Sequence, residues 1–189
     1  MRKRGFEICK GYEDKEINMP IRKTKNSAGY DFEAAEDTVI PSMWKNVAAN
    51  IKNVFKIENV SKDYKPTLVK TGIKAYFEKD EVLILANRSS NPSKKGLIMA
   101  NSIGVIDSDY YNNENNDGEI MFAFYNFFPF DITIKKHEII GQAFFQNFLI
   151  VDNDEELNAN AERKGGFGST DEKTAEENTE EVNEEKKEE

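Results

Sequence analysis

The chain has 189 residues, a single cysteine and a formal net charge of −9, and this length allows one ordinary domain with its own core. One cysteine excludes an internal disulfide framework, and no apolar run approaches the ~20 residues of a membrane span. We therefore expect a cytoplasmic protein with no membrane partner.

The negative charge is concentrated at the C-terminus. Residues 171–189 hold ten acidic side chains and three lysines, so the remainder of the chain has a formal charge of only −2. Because residues 172–189 are almost without apolar side chains, we predict that they are disordered. The nearly neutral remainder lacks the broad basic surface that duplex nucleic acid requires, and no nucleic acid partner is expected.

The first half of the chain contains one turn signal and one helix signal. In "SAGYDF", residues 27–32, Gly29 favours a turn and Asp31 places a carboxylate beside a strand-like segment. From Ser42 to Lys62 apolar residues recur at helical spacing behind Ser42, a common N-cap residue. This pattern predicts one amphipathic helix, which either closes one end of the fold or binds a partner.

From about Lys65 to Val151 the sequence is typical of an antiparallel β-sandwich or barrel. Six apolar runs rich in Val, Ile, Phe and Tyr are separated by Gly, Pro, Asn and Asp at roughly ten-residue spacing. The predicted strand regions are 67–77, 81–87, 96–106, 119–128, 131–135 and 139–151. The predicted fold class is therefore all-β with one inserted helix.

Two polar segments that follow predicted strands could carry chemistry. "NRSS", residues 87–90, offers a guanidinium and two hydroxyls that suit phosphate oxygens, although an ordinary polar turn has the same composition. "DSDY", residues 107–110, fits a turn, a calcium loop or a catalytic carboxylate. The calcium interpretation is the weakest, because Asn112 and Gly118 stand where a calcium loop has its glycine and its glutamate.

The last motif is "RKGGFGST", residues 163–170. A flexible linker into the acidic tail explains its glycines, but it does not explain the lone Phe167. A flap that stacks an aromatic ring on a base and offers hydroxyls to phosphates explains both. His137 is the only histidine and has no second His or Cys at ligand spacing, so no zinc signature is present, and no Ser-His-Asp arrangement is recognised in the sequence.

Taken in order, these segments resemble the motifs of the homotrimeric deoxyuridine triphosphatase (dUTPase) family, in a bacteriophage or Gram-positive version. The resemblance is carried by "MPIRKTKNSAGYDFEA" (19–34), "NRSS" (87–90), "GLIMANSIGVIDSDY" (96–110), "IIGQAFF" (139–145) and "GGFGST" (165–170). It implies a distorted jelly-roll or β-barrel over residues 1–160. It also implies a mobile C-terminal arm over 161–171, which closes over a neighbouring subunit's site in a trimer.

The resemblance further implies that dUTP is the substrate, cleaved to dUMP and pyrophosphate with Mg²⁺. No direct protein ligand to the metal is expected, and Asp31 is expected to act through water. Asp107 matches the carboxylate that activates the attacking water. Base and sugar contacts are expected from Asn101, Gly104, Val105, Ile106, Tyr110 and Phe167. Phosphate contacts are expected from Arg88, Ser89, Ser90, Gln142, Arg163, Gly168, Ser169 and Thr170.

The sequence departs from the family pattern in several places. Arg163 lies closer to the glycine pair than in many relatives, which leaves its contact with the γ-phosphate open, and Asp171 stands where a glycine is common. Segments 42–65 and 111–117 are insertions outside the motifs. They leave open a regulatory protein partner alongside catalysis. A dCTP deaminase-related enzyme is the other alternative, because that group shares the fold and motifs.

Overall fold

The computed structural model describes residues 2–45 and 65–154 of the chain. This part contains eleven strands, one short α-helix that is described from end to end, and one 3₁₀ turn at Ser108–Tyr110. The strands are β1 Gly5–Ile8, β2 Tyr30–Glu33, β3 Thr38–Ile40, β4 Thr67–Lys70, β5 Ile73–Tyr76, β6 Glu81–Asn87, β7 Leu97–Met99, β8 Ile103–Ile106, β9 Met121–Asn126, β10 Ile132–Ile134 and β11 Ile139–Asn147; the helix is α1, Ser90–Lys95.

The strands form a distorted jelly-roll in which each ladder is antiparallel. The largest sheet has four strands in the order β2-β11-β6-β8, and a second sheet has the order β4-β9-β7. Two-stranded sheets join β1 to β5 and β3 to β10. The predicted all-β fold class is confirmed, and no helix in the described part of the chain is long and apolar enough to cross a membrane.

The core lies between the sheets and follows the alternation of the strands. On β6, Leu83 and Leu85 are fully buried, whereas Ile84 between them is only half-buried on the opposite face. On β9, Phe122 and Phe124 are buried with their rings stacked 6.2 Å apart. The Phe122 ring also packs against Phe32 of β2, with ring centroids 5.8 Å apart, so aromatic contacts join the second sheet to the four-stranded sheet, whose edge strand β8 carries the third sequence motif.

Several predicted boundaries differ from the structure. The 67–77 region divides into β4 and β5 at Thr71 and Gly72, where the Gly72 φ of +67° is a conformation that other residues rarely adopt. The Thr71 hydroxyl donates a hydrogen bond to the Ile120 carbonyl (2.6 Å), which stabilises this break. The last strand ends at Asn147, not Val151, and strands β1 and β3 were not predicted.

The predicted helix at 42–62 and the predicted C-terminal segments lie mostly outside the described residues. Residues 43–45 are helical, and the Ser42 hydroxyl accepts a hydrogen bond from the Trp44 backbone N–H (3.2 Å). A separate helix, α1, occupies the segment after Ser89, where the sequence suggested a turn. It ends at Gly96, whose left-handed φ of 60° suits glycine.

Candidate active site

One pocket is formed around the hairpin that joins β7 to β8 and the 3₁₀ turn that follows it. It brings together the described residues predicted to contact base and sugar. The lining residues are Leu85, Met99, Asn101, Gly104, Val105, Ile106, Tyr110 and Met121. Prediction from sequence did not include Leu85, Met99 and Met121, because apolar residues within strands carry no signal that separates a pocket wall from the core.

The hairpin is fixed by short backbone contacts. The Ile103 N–H donates to the Asn101 carbonyl (2.6 Å), and the Ser102 N–H donates to the Met99 carbonyl (3.2 Å). Gly104 lies directly against Leu85, where an added Cβ would be 2.9 Å from the Leu85 side chain. Because a Cβ cannot fit without displacing Leu85, glycine allows the hairpin backbone to lie close to the sheet. The exposed Asn101 side chain remains at the hairpin tip.

Tyr110 forms the buried wall of this pocket. It is 4% exposed, and its backbone N–H closes the 3₁₀ turn on the Asp107 carbonyl (3.1 Å). Its hydroxyl donates to the Glu119 carbonyl (3.0 Å) and accepts a hydrogen bond from the Asn116 side-chain amide (2.7 Å). The polar end of the ring is therefore anchored away from the pocket.

Asp107 is adjacent to the pocket along the chain but lies on the wall of a different cleft. Its side chain is exposed and stands at the N-terminal end of the 3₁₀ turn, with extended backbone angles. The cleft is lined by Phe77, Lys79, Glu81, Asp107, Ser108, Asp109, Phe148 and Asp154. Within the described residues, no group of three or more His, Cys, Asp or Glu side chains is placed to hold a metal ion.

The predicted phosphate-binding residues of the second and fourth motifs lie together at one end of the four-stranded sheet. Gln142 on β11 is opposite Asp31 on β2 and opposite Ala86 on β6. Its side-chain amide packs against Gly29, at a position that a Cβ would occupy. Arg88, just after β6, is half-buried and donates to the Ile139 carbonyl (3.2 Å). The structure therefore places the first, second and fourth motifs side by side.

A pair of asparagines, the buried Asn91 and the half-buried Asn87, supports the loop that carries Arg88, Ser89 and Ser90. The Asn91 amide donates to the Asn87 side chain and to the Ile140 carbonyl, both at 2.8 Å. Ser89 is exposed at the N-cap of α1 and Ser90 is half-buried at its first position. The asparagine pair was missed from sequence. The only sequence signal for this pair is the spacing of Asn87 and Asn91, which lie four residues apart on either side of Ser89 and Ser90.

Asp107 and the phosphate-binding residues of the same chain lie at opposite ends of β6. Ile106, which precedes Asp107, is paired with Leu83, whereas Asn87, which precedes Arg88, is paired with Gly141. About five residues separate the two ends, or roughly 17 Å of extended strand. A single chain therefore does not bring Asp107 next to the phosphate-binding end of its own sheet.

Comparison with known proteins decides the family. The model of the dUTPase family matches residues 54–171, which include the second to the fifth of the sequence motifs. The chain belongs to the dUTPase family. Arg163, Phe167, Gly168, Ser169 and Thr170 fall within this match, but they lie outside the residues that the structure describes.

Individual members of the dUTPase family support this assignment. The deoxyuridine 5'-triphosphate nucleotidohydrolase of Lactococcus lactis is 43% identical over 170 residues, 90% of this chain and 99% of the relative. The crystal structure of the dUTPase from Streptococcus mutans has 39% identity and a TM-score of 0.65, and the match covers 79% of this chain and 99% of that one.

A more distant structure agrees in fold. A mutant dUTPase from phage phi11 of S. aureus has a TM-score of 0.56 at 15% identity, covering 80% of this chain and 94% of that one. That structure reveals the coordination of a structural Mg(II) ion in the phage enzyme. At this identity the likeness supports the dUTPase fold alone.

Proposed function

We propose that this dUTPase hydrolyses dUTP to dUMP and pyrophosphate, with Asp107 as the general base. The observation that carries the proposal is that all the described base and sugar residues expected from the third motif line one pocket. Family membership and the 43% identical nucleotidohydrolase support the same activity.

The pocket accounts for selection of a deoxyuridine nucleotide. The Asn101 amide and the hairpin backbone offer donors and acceptors to the uracil edge, and cytosine would leave some of these polar groups unpaired. We expect thymine to be refused sterically at its methyl group. The Tyr110 ring lies beneath the deoxyribose and leaves no space for a 2'-hydroxyl.

The reaction needs a water molecule and one proton acceptor. Asp107 takes a proton from the water, whose oxygen forms a bond to the α-phosphorus as the bond to the α–β bridging oxygen breaks. The pyrophosphate leaving group retains the α–β bridging oxygen, and the water oxygen becomes part of dUMP. Arg88, Ser89, Ser90 and Gln142 hold the phosphate oxygens so that attack is in line. Residues 167–170, predicted in the C-terminal arm, would complete the phosphate and base contacts, and Arg163 is a further candidate for the phosphates.

The side chains at this end of the sheet fit a Mg²⁺ ion that is held mainly by the substrate phosphates. Asp31 is half-buried beside Gln142, so this end of the sheet offers one carboxylate near the phosphate-binding residues. Mg²⁺ retains several waters and is commonly held by one or two carboxylates together with substrate phosphates. When bound, the ion would neutralise phosphate charge, and Asp31 would hold one of its waters.

We propose further that the working enzyme is a homotrimer with active sites shared between subunits. Asp107 and Arg88 lie at opposite ends of β6, so each must meet its functional partners on another copy. Ile103 and Val105 on the edge strand β8 are also half exposed, which is unusual for a strand that does not pack against a second copy.

Substrate specificity tests the proposed activity directly. Purified protein with Mg²⁺ is expected to release pyrophosphate rapidly from dUTP and at least about 100-fold more slowly from UTP, dCTP and dTTP, because each of these leaves an unpaired polar group or a steric clash. Pyrophosphate release and ammonia release are measured in parallel. Absence of pyrophosphate from dUTP would refute the proposal, and ammonia from dCTP would support the deaminase-related alternative.

Mixed subunits test the shared site. Asp107→Asn and Arg88→Gln chains are each expected to be nearly inactive alone. When they are refolded together, roughly one quarter of the sites would combine an intact Asp107 with an intact Arg88 from another chain, and about that fraction of wild-type activity should return. Each variant refolded with itself is the control. No recovery, with light scattering showing that mixed trimers form, would place both residues in one chain's site.

A further inference from the structure

The insertion 111–117 is bound to the rest of the domain by a buried ion pair. The Lys74 ammonium on β5 donates to Asp117 (2.7 Å) and to the Asn112 side chain, and the Lys74 side chain is only 8% exposed. The Lys10 backbone N–H also donates to Asp117 (2.8 Å), and the Tyr111 hydroxyl donates to Glu7 (2.6 Å). The insertion therefore has a fixed position against β1 and β5.

The same insertion contacts both ends of Tyr110. The Asn113 amide donates to the Tyr110 carbonyl (2.9 Å), and the Asn116 amide donates to the Tyr110 hydroxyl (2.7 Å). Asn113 and Asn116 are also linked to each other by a side-chain hydrogen bond of 2.8 Å. Gly118 closes the turn with a φ of +80°, at a point where a Cβ would lie 2.7 Å from the Tyr110 carbonyl oxygen.

We infer that Asn116 is a positioning residue that sets the sugar discrimination of the active site by holding the Tyr110 ring. The inference rests on the proposed function, in which this ring lies beneath the deoxyribose. Tyr110 is the wall that must exclude a 2'-hydroxyl, so a small change in its tilt opens or closes the space for one extra oxygen.

The geometry explains why the hydroxyl end of the ring is the sensitive point. The backbone of Tyr110 is fixed by the 3₁₀ turn and by Asn113, so the ring can tilt only at its far end. There the hydroxyl is held between the Glu119 carbonyl, which it donates to, and the Asn116 amide, which donates to it. Removing the amide leaves the hydrogen bond from the Tyr110 hydroxyl to the Glu119 carbonyl, about which the ring can pivot.

A double-mutant cycle between Asn116→Ala and Tyr110→Phe tests the inference. The measured quantity is the ratio of kcat/KM for dUTP to kcat/KM for UTP. Each single change is expected to lower this ratio about fivefold, the factor typical of one lost neutral hydrogen bond. The double variant should be no worse than Tyr110→Phe alone, because removing the Tyr110 hydroxyl already removes its contact with Asn116. Asn115→Ala, an exposed asparagine of the same insertion, is the matched control and should keep the wild-type ratio.

Three outcomes overturn the inference. The first is an unchanged ratio in Asn116→Ala, and the second is strictly additive losses, which would mean that Asn116 acts without Tyr110. The third is an unchanged ratio in Tyr110→Phe. This variant also decides the question if Asn116→Ala does not fold, because it retains the ring and removes only the hydroxyl. A wild-type protein that releases no pyrophosphate from dUTP would instead refute the proposed function.

Discussion

Asp107→Asn is expected to lower kcat for dUTP hydrolysis by about 10²- to 10⁴-fold, while dUTP binding stays within about threefold of wild type. Asparagine has the same shape as aspartate but cannot accept the proton of the attacking water. Asp107 is exposed and lies outside the core, so its replacement should leave the fold intact. Steady-state pyrophosphate release gives kcat, and calorimetric titration with a non-hydrolysable dUTP analogue gives the dissociation constant.

Asp109→Asn is the matched control for this prediction. The two aspartates lie on either side of Ser108, line the same cleft and are both exposed, so the two changes alter local charge equally. Only Asp107 is expected to be essential. If Asp109→Asn abolished turnover and Asp107→Asn did not, the assignment of the general base would be wrong.

Lys74→Met is expected to destabilise the protein by about 3 kcal/mol, the lower end of the range for removing one partner of a buried ion pair. Burial lowers the pKa of Lys74, but the hydrogen bond and charge of Asp117 outweigh burial and hold this pKa above its ordinary value. Burial likewise raises the pKa of Asp117, whereas its hydrogen bonds from Lys74 and Lys10 lower it below the ordinary value overall. Methionine fills similar space but leaves the Asp117 carboxylate without its cation. Urea unfolding at pH 7 measures the loss.

Acid pH gives an independent check of the same ion pair. The pKa of Asp117 is lower in the folded protein than in the unfolded chain. The ion pair of Asp117 therefore stabilises the fold at pH values above the unfolded pKa, and this stabilisation is lost as the pH falls through the folded pKa. The difference between wild type and Lys74→Met should therefore shrink below about pH 4.

A lysine on the preceding strand of the chain provides the control for Lys74. Lys70 on β4 forms an exposed ion pair with Glu36 at 3.7 Å, and Lys70→Met should change stability by less than about 1 kcal/mol. Equal losses from the two substitutions would indicate that the buried pair does not anchor the insertion.

The fold class and the residues of the third motif that line the pocket could be predicted from the sequence alone. Short apolar runs with turn residues between them indicated an all-β domain, and the region predicted as 81–87 coincides with β6, Glu81–Asn87. The order of the motifs indicated the dUTPase family and named Asn101, Gly104, Val105, Ile106 and Tyr110, which the structure collects in one pocket. These features are readable because they depend on residue type and on spacing within one segment.

Other features were decided only by the tertiary structure, because they depend on partners distant along the chain. Strand β1 was not predicted, and its pairing with β5 joins residues about 70 positions apart. The opposite placement of Asp107 and Arg88 follows from strand register, which local periodicity does not contain. The asparagine-rich insertion looked from sequence like added surface. Folding places this insertion against β5 and Tyr110, where Asp117 pairs with the buried Lys74 and the Asn116 amide donates to the Tyr110 hydroxyl.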